Sequence, residues 1–162
     1  MAYFARPMKL QLFRYHCGSC GHWYASPVIG GSPYGEFLLR SESGETRYLN
    51  ATLDHTFREV REFIENDPRT TTLDQFKLSN LLHDLYGIAC DKDSLGNEFR
   101  VGLNARCTHW DQRNITEWES VEPPEFVELE IPAVTHESWM KLDESEKQSR
   151  VSAAINESPF TP

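Results

Sequence analysis

The hydrophobic period changes along this chain, and that change limits the fold more than any single motif does. Lys9 to His16 alternates as a strand, and Glu36 to Arg40 and Thr46 to Ala51 flank Ser41-Glu42-Ser43-Gly44-Glu45, a hairpin with Gly44 available for a positive φ. Leu53, Phe57, Val60 and Ile64 then recur at helical spacing behind Thr52 as N-cap, until Asn66-Asp67-Pro68 stops them. Thr72-Leu73-Asp74-Gln75 reads as a capping box opening a second helix, with Leu78, Leu81, Leu82 and Leu85 on one face and Gly87 closing it. The short connection predicts an antiparallel helix pair.

Period two returns from Asn97 to Cys107, with Phe99, Val101, Leu103, Ala105 and Cys107 on one face. It recurs from Phe126 to Ile131, fenced by Pro123-Pro124 and Pro132, with Glu128 and Glu130 on the outer face. A last helix runs from about Glu144 to Asn156, capped by Asp143 with Glu146 at the capping-box position. Ser26 to Gly35 holds two Pro and three Gly and is expected to be loop. Segregated strands and helices predict an α+β fold of antiparallel strands, a central helix pair and a C-terminal helix. With 162 residues the expectation is one domain over 1–156 and a flexible tail at 157–162.

Charge narrows the function classes. The net charge is −9, which disfavours a nucleic-acid backbone as partner. It is unevenly spread, since residues 117–162 carry three basic and eleven acidic groups, a net −8. Glu117, Glu119, Glu122, Glu125, Glu128 and Glu130 come with no Lys or Arg among them, interleaved with Trp118 and Phe126. Such a run is either a solvated face or an acidic docking surface with aromatic anchors. Arg6 and Lys9 precede no apolar signal core, and no stretch is long and apolar enough to span a bilayer, so a cytoplasmic protein is expected.

The cysteines carry the sharpest chemistry. Cys17-Gly18-Ser19-Cys20-Gly21 follows a strand directly. Small residues between the two Cys let both sulfurs face one ion while backbone N–H groups turn toward the thiolates. This segment resembles the zinc knuckle of zinc-ribbon and related treble-clef proteins. The resemblance implies a zinc-knuckle-like N-terminal half-site, a structural zinc ion and a second half-site at the end of another strand. The matching place is Arg106-Cys107-Thr108-His109-Trp110, where Trp110 stands in the position of a fourth Cys. Cys107 and His109 then complete a Cys₃His set. Cys90 is the alternative fourth ligand, and His16 and His22 also flank the first knuckle. A redox pair, a disulfide or ordinary buried thiols are the competing readings. The Gly/Pro-rich stretch after the motif is not the helix that a redox pair requires.

Other constellations are weaker. Asp91-Lys92-Asp93-Ser94-Leu95-Gly96 lacks oxygen ligands at calcium-loop positions five and twelve and reads as an acidic turn. Gly30-Gly31-Ser32-Pro33 lacks the Gly-Lys-Ser/Thr of a phosphate loop. Glu59, Glu62 and Glu65 between Arg58 and Arg61 read as a solvated helix face, and His83 as a packing histidine. No H-E-x-x-H or zinc-deaminase pattern occurs, so no catalytic zinc is expected. The expected function is therefore non-enzymatic: an immunity- or inhibitor-type protein that neutralises a basic partner, such as a toxin or nuclease, through Glu117 to Glu130. The alternative is a zinc-ribbon module associated with nucleic acid or transcription machinery.

Overall fold

The computed structural model describes residues 5–31, 34–109 and 113–161. In chain order it contains strands β1 (Arg6–Cys17), β2 (Trp23–Val28), β3 (Glu36–Ser41) and β4 (Thr46–Asn50). Helices α1 (His55–Glu65) and α2 (Gln75–Leu85) follow, then strands β5 (Phe99–Arg100), β6 (Ile115–Ser120) and β7 (Phe126–Ile131). Helices α3 (Glu137–Met140) and α4 (Glu144–Glu157) end the chain. The fold is α+β, with antiparallel sheets and a C-terminal helix, as the period changes predict. Among the described residues, no helix is long and apolar enough to cross a membrane.

Strand β1 is the spine of a four-stranded sheet. Antiparallel β2 covers one edge, with Gln11 opposite Val28 and His16 opposite Trp23. Strands β6 and β7 share the other edge: β6 pairs with residues 13–17 and β7 with residues 6–11. They behave as one broken strand whose residues 121–125 loop out opposite Leu12, where the Glu125 carbonyl accepts from the Leu12 N–H at 2.9 Å. The second sheet has the order β4-β3-β5. The Tyr48 N–H donates to the Pro132 carbonyl at 2.8 Å, tying β4 to the end of β7. The hairpin turn is as expected, with Gly44 at φ 92°.

Helices α1, α2 and α4, with α4 packed on α1 and α2, share with the second sheet one apolar cluster that includes Leu39, Ile64, Leu81, Tyr86, Phe99 and Trp139. Burying each such side chain contributes roughly 1.5–3 kcal/mol. Asp143 and Glu146 form the reciprocal capping box of α4.

Several expected boundaries move. The N-caps of α1 and α2 are Asp54 and Asp74, not Thr52 and Thr72. The Thr52 hydroxyl is instead engaged by Asn50 Oδ1 at 2.6 Å, which leaves the cap to the carboxylate two residues on. The strand expected over 97–107 stops at Arg100, because Gly102 adopts φ 78° and turns the chain out of the ladder. The loop expected over 26–35 begins later, since β2 runs to Val28. Pro27 is tolerated there because β2 is an edge strand and needs no donor on its outer side. Gly87 lies within a 3-10 turn, Tyr86–Ala89, and does not act as a left-handed helix cap. A Cβ there would lie 2.0 Å from the Phe99 carbonyl oxygen, so a close backbone approach requires the glycine. The tail expected at 157–162 starts inside α4. Beyond it, Ser158 is buried and donates to Asp84 Oδ2 at 2.7 Å, which anchors the turn after the helix.

Candidate metal centre

Cys17 ends β1, and the chain reverses at once. The Gly21 N–H donates to the Cys17 carbonyl and the Cys17 N–H to the His22 carbonyl, both at 2.9 Å, with Gly21 at φ 74°. This tight turn swings Cys20 back beside Cys17. Cys107 arrives from the loop after β5. That loop is held by the Tyr24 hydroxyl on the Ala105 carbonyl (2.9 Å) and by Arg113 Nε on the Asn104 carbonyl (2.9 Å). The result is one cluster in which the Cys17, Cys20 and Cys107 sulfurs all lie within 4.8 Å of one another. Cys20 and Cys107 are 3.5 Å apart, and all four cysteines are free thiols.

The three sulfurs fit a tetrahedral metal ion. Zinc–thiolate bonds of about 2.3 Å place sulfurs roughly 3.8 Å apart, whereas a disulfide needs about 2.05 Å. The turn also prepares the thiolate state. Burial alone would raise the Cys17 thiol, but the backbone N–H groups of Cys20 and Ser19 outweigh it and bring it below its ordinary value. At Cys20 the His22 N–H acts in the same direction, yet burial and the two neighbouring sulfurs hold that thiol above its ordinary value. Neighbouring thiolates repel one another, and a metal ion between them would relieve that repulsion.

Two histidines stand beside the cluster. His22 Nδ1 is 3.4 Å from Cys20 Sγ, and the His109 backbone N–H donates to Cys107 Sγ at 3.4 Å. Their rings stack at 4.1 Å between centroids. Neither ring nitrogen belongs to the close thiol group itself. The spacing that brings both rings here is visible in the sequence: Cys20-Gly21-His22 and Cys107-Thr108-His109 repeat one C-x-H pattern. Cys90 is elsewhere. It is buried in the helical cluster with its thiol toward the Tyr86 carbonyl, and burial pushes that thiol up. His16 Nδ1 is engaged with Thr116 Oγ1 at 2.6 Å. Trp110, Ser32 and Pro33 lie outside the described residues.

The acidic run does not form one face. Glu117 and Glu119 sit opposite His16 and Arg14, whereas Glu128 and Glu130 sit opposite Lys9 and Pro7. Even and odd positions of β1 point to opposite sides of the sheet, so these two pairs of acids do as well. Glu119 is paired with Arg14 at 3.0 Å, and Glu122 and Glu125 are exposed in the looped-out segment. Trp118 and Phe126 oppose Tyr15 and Gln11, which puts both aromatics on the face of Glu128 and Glu130. They are 67% and 49% exposed. The Phe13 ring lies 5.7 Å from Trp118, and Lys9 Nζ sits 4.5 Å over Phe126.

Asp91 and Asp93 act as structural acceptors. Asp93 takes the Ser43 hydroxyl (2.6 Å) and the N–H groups of Leu95 and Asn97, while Asp91 takes the Glu137 and Ser138 N–H groups at the start of α3. These bonds account for the acidic turn without an ion. The Cys17–Cys20–Cys107 cluster offers a metal site but does not by itself identify a zinc-ribbon family. Comparison with protein-family models, with curated proteins and with solved structures gave no match to this chain.

Proposed function

We propose that this chain is a non-enzymatic binding protein, stapled by one structural zinc ion, that captures and neutralises a basic protein partner such as a toxin or nuclease. Zinc is held by Cys17, Cys20 and Cys107, with one imidazole of the His22–His109 stack in the fourth position. Support for the staple comes from three thiols, drawn from two distant segments, within 4.8 Å of one another. Four protein ligands leave no open coordination position, and that suits structure rather than catalysis.

The capturing surface is one face of the four-stranded sheet. The observation that carries this reading is that exposed Trp118 and Phe126 share that face with Glu128 and Glu130. Aromatic anchors beside carboxylates suit a basic protein surface, and the acids speed the encounter. Glu122 and Glu125 flank this face on the looped-out segment, while Glu117 and Glu119 lie on the reverse.

Affinity capture from the native source tests the reading. Wild-type protein is expected to retain one basic protein at fixed stoichiometry. The double variant Glu128→Lys/Glu130→Lys and the single variant Trp118→Ala are expected to lose it. Glu117→Lys/Glu119→Lys, on the reverse face, is expected to keep it. Retention by all variants, or retention of nucleic acid instead, rejects this assignment. For the staple, metal analysis of the purified protein is expected to give one zinc per chain, with His22→Ala and His109→Ala identifying the fourth ligand.

A further inference from the structure

A cavity of about 660 Å³ opens between α1, α2 and the start of β3, away from both features described above. Its apolar floor is built by Phe37, Phe57, Ile64, Leu78 and Leu82. Pockets of roughly 300–1,000 Å³ with apolar walls and a few polar groups are the usual size for burying small ligands. Two polar side chains, Arg58 and His83, line this one in a way the fold does not use. Arg58 has no ion pair among the described residues. Arg61 is also on the wall and is balanced by Glu65 at 2.7 Å, which leaves Arg58 as the uncompensated charge. His83 meets the Phe37 ring edge-on at 4.9 Å and has no hydrogen-bond partner on its ring nitrogens among the described residues. Burial lowers the His83 pKa, so it presents a neutral imidazole in an aromatic wall.

We propose that this cavity binds a small amphipathic anion, with a ring-sized apolar body against Phe37, Phe57 and Leu82 and its carboxylate, sulfonate or phosphate on Arg58. The sign is set locally. The chain as a whole carries −9, yet the cavity wall carries two arginines and a glutamate already bound to one of them. The apolar floor supplies affinity for the body, and the free guanidinium selects anions over neutral analogues. The neutral His83 ring can donate to or accept from one polar atom on the body.

A matched pair of fluorescent probes tests this on the full chain. 8-Anilinonaphthalene-1-sulfonate carries the anion, and N-phenyl-1-naphthylamine has the same aromatic body without it. Wild-type protein is expected to bind one sulfonate probe per chain more tightly than the neutral one, and the bound probe is expected to shift the Phe37, Phe57 and His83 resonances. Arg58→Gln is expected to weaken the sulfonate probe about tenfold and leave the neutral probe unchanged. Ser79→Trp, which places an indole on the cavity wall, is expected to abolish both, with an unchanged far-ultraviolet dichroism spectrum and a cooperative unfolding transition showing that the variant folds. Should Ser79→Trp not fold, the resonance shifts in wild type still locate the probe. Equal binding of the two probes, no effect of Arg58→Gln, no binding by wild type, or shifts outside the cavity overturns the proposal.

Discussion

In the helical half, Trp139, Tyr86, Phe99, Leu81 and Ile155 close into one continuous apolar cluster. The four-stranded sheet contributes to only two small buried sets: Leu10 and Ile131 with Leu38 and Tyr48 of the second sheet, and Cys17 and Tyr24 with Cys107 of the following loop. The same sheet leaves Trp118, Phe126 and Leu129 exposed. Apolar burial therefore suffices for one region and is thin in the other, and the thiol cluster sits in the thin one. Under the proposed function, a metal ion held there would cross-link the end of β1 to the loop before β6 and offset the thinner core.

Removing that cross-link is the hardest test of the contrast. Chelation, or Cys17→Ser, is expected to cost on the order of 5 kcal/mol or more. Hydrogen exchange should show β1, β2 and β6 losing protection while α1, α2 and α4 keep theirs. Uniform loss in both regions, or no loss, would abolish the distinction. The reverse perturbation is Trp139→Ala, expected to cost about 3–5 kcal/mol in denaturant unfolding. Because Trp139 is remote from the thiols, metal content per folded chain should stay at one.

A polar latch within the helical half gives a smaller effect with a pH signature. His136 Nδ1 lies 2.6 Å from the Ala89 carbonyl, and Nε2 lies 2.9 Å from Asp54 Oδ2 and 3.1 Å from the Tyr86 hydroxyl; donation by the ring to both the carbonyl and the carboxylate requires the imidazolium. Burial alone would lower the His136 pKa, but Asp54 and the Ala89 carbonyl outweigh it and hold it above the ordinary 6.5. A raised folded-state pKa contributes stability that is complete below about 6.5 and fades as pH rises through the folded value. Asp54, held below its ordinary 3.8 despite burial, contributes stability that is lost as pH falls through its folded value. His136→Gln is expected to cost about 1–3 kcal/mol at pH 6 and less at pH 9. A cost that does not change with pH would refute the imidazolium.

Asp143→Ala removes one half of the α4 capping box and is expected to cost about 1 kcal/mol, read as a small fall in the unfolding midpoint. At the bottom of the scale is the exposed Arg14–Glu119 pair on the sheet. Arg14→Ala is expected to change stability by roughly 0–1 kcal/mol, which salt should screen further. A larger effect would mean that surface charge, and not the thiols, steadies the sheet.

Local chemistry was legible wherever neighbours in sequence settle the outcome. Asp143 and Glu146 cap α4 as their spacing requires, Gly44 turns the hairpin, and Cys17 and Cys20 face each other across the two residues Gly18 and Ser19. Readings failed where a competing local bond, a positive φ or a position in the sheet overrode the pattern. Asn50 claimed Thr52, so Asp54 became the cap. The edge position of β2 made Pro27 acceptable in a strand, which its own Gly/Pro-rich neighbourhood argued against. Gly102 ended a strand that alternation alone extended to Cys107.

The amino-acid sequence by itself determined the α+β class, the three longer helices, the β3–β4 hairpin and one candidate metal half-site, because periodicity, capping and C-x-x-C spacing act within a few residues; it did not reveal β6 or most of β2. The sequence also matched Cys107 to that half-site, with Cys90 as the alternative fourth ligand; only the tertiary structure brought Cys107 beside Cys17 and Cys20 on a loop that Tyr24 and Arg113 hold, and left Cys90 in the helical cluster. It likewise divided the acids of 117–130 between two sides of a sheet. A linear run of charge has no face until strand register assigns one, and register against β1 is a long-range property.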